Sequence, residues 1–116
     1  MSSYERGLEG EKLACAYLES IGIRVISRRY RADGGEVDII GQQGRTLHFV
    51  EVKYRPDSRL GAGLMNIDQN KRRRLFSASK AYLKKNKPGL PWQIDYLEIT
   101  RAGVRLILDT ARQRQE

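Results

Sequence analysis

The spacing of apolar residues changes along the chain, and each change marks a predicted helix or strand. Over residues 5–20 the apolar positions, among them Ala14 and Leu18, recur as they do on one face of a helix. Gly22 follows, and glycine is common directly after the C-terminal end of a helix. Residues 23–30 have valine and isoleucine at their centre and predict a strand.

The next two apolar runs, EVDII over residues 36–40 and LHFVEV over 47–52, flank a polar turn that contains glycine. This arrangement predicts a β-hairpin. Acidic residues are depleted in strands, yet both runs contain them. Because side chains alternate along a strand, Glu51 and Lys53 project from one face of their strand. By the same rule, Glu36 and Asp38 share a face of the preceding strand.

The hairpin loop decides whether the acids of the two strands meet. Directly opposed residues of an antiparallel pair point to the same side. A loop of even length, formed by Gln43 and Gly44 or by residues 42–45, would place Asp38 and Glu51 on the same side. A loop of odd length or a bulge would separate them.

The second half of the chain repeats the two periods. Residues 66–83 have helical spacing, with Leu75 and Tyr82 on the apolar stripe, and prolines and a glycine follow them. Residues 92–100 and 104–108 predict two strands joined by a turn.

The predicted order is therefore helix, three strands, helix and two strands. This order is typical of the α/β class, with a mixed central β-sheet flanked by helices. A chain of 116 residues supports one modest core, so we expect residues 1–116 to form a single domain. The core is expected at about residues 5–109, and residues 110–116 form a polar tail.

Two further polar residues fall inside predicted strands. His48 has the opposite parity to Glu51, which favours a packing or surface role over a catalytic one. Asp95 is interpreted as a charge on an edge strand, and a supporting role behind the acidic site is the alternative.

The composition excludes several classes of protein. No apolar run approaches the length of a membrane span, and the first residues lack the apolar centre of a signal peptide. We therefore expect a cytoplasmic protein with no membrane partner. A single cysteine and a single histidine exclude an intramolecular disulfide framework and a zinc site.

The positive charge is concentrated in one segment. The formal net charge is +8 with a pI near 9.9, yet outside residues 71–87 basic and acidic residues are equal in number. Such a segment attracts nucleic-acid backbones with salt-dependent affinity. A solvated helix face and a membrane-surface helix are the alternatives. The basic residues of this segment are Lys71, Arg72, Arg73, Arg74, Lys80, Lys84, Lys85 and Lys87.

Converging carboxylates repel one another unless a cation lies between them. Mg²⁺ or Mn²⁺ binds oxygen ligands, commonly one or two carboxylates together with water and phosphate. Asp38, Glu51 and the nearby Lys53 ammonium therefore suit metal-assisted hydrolysis of a phosphodiester. The alternative is a half-exposed hairpin with a solvated polar face.

The spacing D-x(n)-E-x-K across a hairpin resembles the signature of the restriction-endonuclease-like nucleases, the PD-(D/E)XK superfamily. Four blocks in order, GLEGEKLACAYLESIGI, GGEVDII, FVEVKYR and NKRRRLFSASKAYL, resemble the YraN-like bacterial family over about residues 7–100. The resemblance implies a restriction-endonuclease-like fold with an α-β-β-β-α-β core. No proline directly precedes Asp38, and many members of the superfamily also lack it.

The resemblance also implies roles for individual residues. Asp38 and Glu51 would bind the metal ion, and Lys53 would assist the attacking water. In resolvase-like members a glutamate of the N-terminal helix joins the metal site, and Glu11 is the matching position; a solvent-facing carboxylate is the alternative. The expected nucleic-acid contacts are Gln69, Lys71, Arg72, Arg73, Arg74 and Arg55.

The sequence thus favours a metal-dependent nuclease that acts on nucleic acid, with DNA expected and branched or recombination intermediates as candidate substrates. A resolvase would need two active sites, so a homodimer is compatible with this hypothesis. The alternative is a non-catalytic nucleic-acid-binding module or a subunit of a DNA-processing assembly.

Overall fold

The computed structural model describes residues 2–57, 69–86 and 88–109. Its order of helices and strands is the predicted one. The predicted start of the second helix over residues 66–68 and the predicted tail over 110–116 lie outside the described residues. The helices and strands are α1 (Ser3–Ser20), β1 (Arg24–Ala32), β2 (Gly35–Gln43), β3 (Thr46–Arg55), α2 (Gln69–Asn86), β4 (Trp92–Thr100) and β5 (Gly103–Asp109).

The five strands form one mixed sheet in the order β1-β2-β3-β4-β5. Each neighbouring pair is antiparallel except β3 and β4, which are parallel. Parallel neighbours require a crossover connection, and α2 lies in the segment that joins these two strands. The predicted α/β class with a mixed sheet and flanking helices is confirmed, and the arrangement is consistent with a restriction-endonuclease-like core.

Each face of the sheet carries its own hydrophobic cluster. The cluster on the α2 side includes Phe49, Leu75 and Trp92, and the cluster on the α1 side includes Leu18 and Val50. A strand that is covered on both faces loses the alternation of apolar and polar residues. This explains why every residue of β4 is buried.

Helix α1 begins with a reciprocal cap. The Ser2 side chain accepts a hydrogen bond from the Glu5 amide at 3.1 Å, and the Glu5 carboxylate accepts one from the Ser2 amide at 3.0 Å. These bonds satisfy two of the amides that a helix start leaves without partners. The cap places the first residue of α1 at Ser3, two positions before the predicted start.

The hairpin between β2 and β3 has a loop of two residues, Gly44 and Arg45, because Gln43 pairs with Thr46. The loop lies one residue later than the shorter predicted loop, but its length is even, as the argument about the shared face required. Gly44 has φ 60°, the left-handed conformation that glycine adopts without strain in such turns.

Regular pairing between β2 and β3 stops at Ile39 and Val50. Just before this point the alternation of β2 is broken: Val37 packs in the cluster on the α2 side, whereas Ile39 packs in the cluster on the α1 side. Asp38 lies between them, where β2 separates from β3.

Within the described part of the chain, no helix is long and apolar enough to cross a membrane.

Candidate active site

Glu51 is the centre of a buried ionic cluster on β3. Lys71 Nζ lies 2.8 Å from Glu51 Oε2, and Lys53 Nζ lies 3.3 Å from the same oxygen. Lys53 is near Glu51 because residues two apart on a strand share a face. Lys71 reaches it from the first turn of α2. The Glu51 side chain is 6% exposed and the Lys71 side chain 42%, so the buried carboxylate is neutralised by a lysine that extends from solvent.

Asp38 faces the same site from β2. Its Oδ2 accepts a hydrogen bond from the Val52 amide at 2.7 Å, which fixes the carboxylate beside β3. Burial, together with the negative charge of Glu51, raises the pKa of Asp38 from 3.8 to about 7. The hydrogen bond from Val52 opposes this shift but does not cancel it.

The two carboxylates line a single cavity of about 280 Å³, here called the first cavity. Lys71 and Arg74 line its α2 side, and Glu36 adds a third acid. Glu36 is held by Arg31, whose Nε donates to Glu36 Oε1 at 3.4 Å. The lining residues are Glu36, Asp38, Glu51, Val52, Lys71, Arg74 and Leu75.

The two lysines differ in how firmly they hold a proton. Burial, together with the hydrogen bond to Lys71, lowers the pKa of Lys53. Burial also acts against the charge on Lys71, but its hydrogen bonds with Glu51 and Lys53 outweigh this and raise its pKa. Lys53 is therefore the lysine of the pair that gives up a proton more easily.

Helix α2 is held close to these groups by contact with the β2 backbone. A Cβ atom added to Gly35, the first residue of β2, would lie 1.9 Å from the carbonyl oxygen of Arg74. Only glycine fits at this approach. The contact brings the first turns of α2, which carry Lys71 and Arg74, against the strand that carries Asp38.

Glu11 does not line the first cavity. Its carboxylate pairs with Arg29 at 2.7 Å and with Arg28 at 3.8 Å, and its side chain is 13% exposed. Glu11 and Asp38 do line a common second cavity of about 300 Å³. No group of three or more histidine, cysteine, aspartate or glutamate side chains that could hold a metal ion occurs among the residues that the structure describes.

Comparison with known proteins places the chain in a family. The model of a family described as Uncharacterised protein family UPF0102 matches residues 10–105. The chain belongs to the UPF0102 family. It is 40% identical over 95 residues to a UPF0102 protein of Geobacter sulfurreducens, covering 81% of this chain and 74% of the relative. It is 37% identical over 110 residues to a UPF0102 protein of Chromohalobacter salexigens, covering 95% and 89%.

The predicted nucleic-acid contacts of this UPF0102 chain differ in their exposure. Gln69, Arg73 and Arg55 are exposed, whereas Lys71 is half-buried and is part of the ionic cluster around Glu51. Arg74 is exposed and lines the first cavity. Arg72 is half-buried, and its guanidinium lies over the Tyr96 ring, with the guanidinium carbon 5.9 Å from the ring centre.

Asp95, His48 and Gln93 form a buried polar network in the UPF0102 fold, which the sequence did not predict. Asp95 is fully buried, its Oδ2 lies 2.6 Å from His48 Nδ1, and its Oδ1 accepts from Gln93 Nε2 at 2.8 Å. The interpretation of Asp95 as an edge-strand charge is wrong because β4 lies between β3 and β5. The packing role expected for His48 is consistent with its burial. The opposite strand parities of His48 and Glu51 were the available signal that this network and the acidic site are separate.

Proposed function

We propose that this protein is a metal-dependent nuclease that hydrolyses phosphodiester bonds, with DNA as the expected substrate. The observation that carries the proposal is the shared cavity of Asp38 and Glu51, with Lys53 on Glu51 and with Lys71 and Arg74 on the opposite wall. A module that only binds phosphate gains nothing from two carboxylates facing its ligand.

The donor set suits one divalent cation. The raised pKa of Asp38 reports a buried carboxylate that lacks sufficient positive charge nearby, and a divalent ion supplies such charge. Mg²⁺ needs only one or two carboxylates because water and substrate phosphate complete its coordination. Asp38 and Glu51 would hold Mg²⁺ or Mn²⁺, and Glu11 would join them only by leaving Arg29. When bound, the ion would polarise the phosphoryl group and acidify a bound water.

The lysines have distinct roles in this proposal. Lys53 is desolvated and has a lowered pKa, so it can hold a water or a phosphate oxygen and exchange a proton with it. Lys71 has a half-exposed side chain with the flexible stem of a lysine, and it neutralises Glu51. Its ammonium can move from Glu51 to a substrate phosphate.

Helix α2 would hold the backbone of the nucleic acid. Arg73 and Arg74 are exposed in its first half, and Lys84 and Lys85 are exposed near its end. Cations along one helix give an affinity that depends on salt more than on sequence. This surface continues from the first cavity, so a bound backbone would pass the two carboxylates.

The test is a cleavage panel with linear, single-stranded, flapped and four-way DNA, in the presence of Mg²⁺ or Mn²⁺. Glu51→Gln keeps the shape of the side chain but removes the charge, so it should abolish cleavage and leave binding by α2 largely intact. Asp33→Asn is the matched control, because it removes one carboxylate charge at an exposed turn. If Glu51→Gln cleaves as the wild type does, the assigned site is wrong.

A second candidate is a nucleic-acid-binding module without catalysis. It is favoured by one observation: Lys53 and Lys71 both pair with Glu51, so side chains of the protein itself balance the charge of this carboxylate. On this alternative the wild type binds all substrates of the panel, cleaves none, and its melting temperature does not respond to Mg²⁺ or Mn²⁺.

A further inference from the structure

Asp38 separates two cavities. The second cavity, of about 300 Å³, lies between the first turns of α1 and the end of β3 and shares Asp38 and Val52 with the first cavity. Its wall carries Arg6, Glu11 and the Tyr54 ring. Each cavity is near the lower end of the size range of small-molecule pockets, roughly 300–1,000 Å³.

Two glycines of α1 line the second cavity for different reasons. At Gly10 an added Cβ would lie 2.5 Å from Tyr54 Cβ, so packing against β3 requires glycine there. At Gly7 an added Cβ would meet no atom within 4 Å. Glycine is unfavourable inside a helix, and neither packing nor backbone conformation requires it at this position. Its effect in the structure is to leave the cavity open.

The lining of the second cavity matches one nucleotide. The Arg6 guanidinium is a donor for a phosphate, and the Tyr54 ring is a surface for a base or sugar. Tyr54 is held in place by its contact with Gly10 and by a hydrogen bond from its hydroxyl to Glu9 Oε2 at 3.1 Å. A ring that is fixed before binding loses little conformational entropy when a base stacks on it.

The two cavities open on opposite sides of the sheet. Leu75, in the wall of the first, belongs to the cluster on the α2 side, whereas Tyr54, in the wall of the second, packs on the α1 side. A ligand that occupies both must bend around Asp38, at the point where β2 separates from β3. A single strand bends this sharply at little cost, but a duplex is stiff over tens of base pairs.

We propose that the second cavity binds the nucleotide next to the scissile phosphate, so that one single strand passes from Arg6 and Tyr54 over Asp38 into the first cavity. The proposal rests on the proposed nuclease function. It assigns the substrate class as single-stranded nucleic acid or the unpaired segment of a branched substrate.

Gly7→Leu tests the proposal because Gly7 lines the second cavity and the new side chain would begin there, with a Cβ that meets no atom within 4 Å. The control Ala16→Leu adds a leucine at an exposed position of the same helix. Both are made in the Glu51→Gln background, so that binding is measured without cleavage. The probes are a fluorescein-labelled oligothymidylate of about eight nucleotides, within the site size of single-strand binders, and a blunt duplex.

Gly7→Leu should weaken oligothymidylate binding about tenfold, the loss expected when one base loses its stacking surface, and should leave duplex binding unchanged. Ala16→Leu should change neither. Equal oligothymidylate affinity for Gly7→Leu and the control, with both variants folded by melting temperature, would overturn the proposal. If Gly7→Leu does not fold, NMR shifts of the Gly7 amide in the wild type decide instead, and no shift on adding the oligonucleotide would overturn it.

The proposal and the nuclease assignment fail in different ways. A wild type that cleaves nothing but loses strand binding with Gly7→Leu would overturn the nuclease and support the cavity. A wild type that cleaves in a Glu51-dependent manner, and for which Gly7→Leu changes neither binding nor cleavage, would support the nuclease and overturn the cavity.

Discussion

Asp38 Oδ2 accepts a hydrogen bond from the Val52 amide at 2.7 Å, beyond the last regular β2–β3 pair. At this point the Asp38 side chain, in place of the β2 backbone, accepts the hydrogen bond from the β3 backbone. The bond holds a partly desolvated carboxylate beside Glu51 even though the two charges repel each other.

The Asp38 carboxyl should make stability depend on pH. Its pKa is raised from 3.8 in the unfolded chain to about 7, so between these values the folded protein binds a proton that the unfolded chain has lost. Stability should therefore fall as pH rises from about 4 to about 7 and then level off. Relative to Asp38→Asn, the wild type should lose up to about 3 kcal/mol between about pH 5 and about pH 8.

Urea unfolding of both proteins in EDTA at the two pH values measures this difference. The comparison with Asp38→Asn cancels the contribution of the other carboxylates. Saturating Mg²⁺ should restore much of the loss in the wild type at the higher pH, because a bound cation favours the ionised carboxylate. A constant difference between the two proteins would show that Asp38 ionises normally.

Removing the ammonium of Lys71 should strengthen binding of a divalent cation. Lys71 Nζ lies 2.8 Å from a carboxylate oxygen of Glu51, which we propose as a metal ligand, so the lysine and the metal ion would compete for Glu51. Lys71→Met should therefore bind Mn²⁺ more tightly than the wild type, by about tenfold if the pair is worth about 1.4 kcal/mol. Titration calorimetry measures the affinity.

Lys84→Met is the control for this prediction, because it removes the same charge from an exposed position near the other end of α2. Long-range charge effects would change both variants alike. Mn²⁺ affinity that is unchanged or weaker in Lys71→Met would mean that Lys71 does not compete for Glu51 and instead supports the site.

The exposed cations of α2 should determine how binding depends on salt. Reversing Arg73, Lys84 and Lys85 to glutamate should weaken binding of any DNA sequence and reduce the slope of log affinity against log salt by about 0.9 for each lost phosphate contact. Fluorescence anisotropy over a salt series measures both. Lys12→Glu on α1 should change neither, and an equal change there would point to net charge rather than to the α2 surface.

Asp95 should contribute to stability and not to the acidic site. Asp95→Ala leaves His48 and Gln93 without their buried partner, which should destabilise the protein by about 2–4 kcal/mol. The rise in melting temperature on adding Mg²⁺ should be the same as in the wild type. If the variant loses that rise while it remains folded, the network is coupled to the acidic site.

Much of the site follows from short-range rules. The period of two along β3 places Glu51 and Lys53 on one face, and an even loop brings Asp38 to the same side. The actual loop was one residue away from the shorter predicted loop, but only its parity mattered. The resemblance to the restriction-endonuclease-like nucleases rests on these same three residues.

The remaining features depend on contacts between distant parts of the chain. The ion pair of Lys71 with Glu51 requires the docking of α2 on the sheet, which no periodicity specifies. The burial of Asp95 requires β4 to lie beside β3 in parallel, a pairing set by the crossover rather than by local sequence. The break in alternation at Asp38 is likewise invisible in a pattern that assumes a regular strand.

Gly35 sets the distance between helix α2 and the strand that carries Asp38. Because its Cα lies against the Arg74 carbonyl, even a methyl group at this position would push the basic helix outward. Lys71 and Arg74 would then lie farther from Asp38 and Glu51, although none of these four residues had been changed. A single residue without a side chain thus fixes the spacing between the carboxylates of the sheet and the cations of α2.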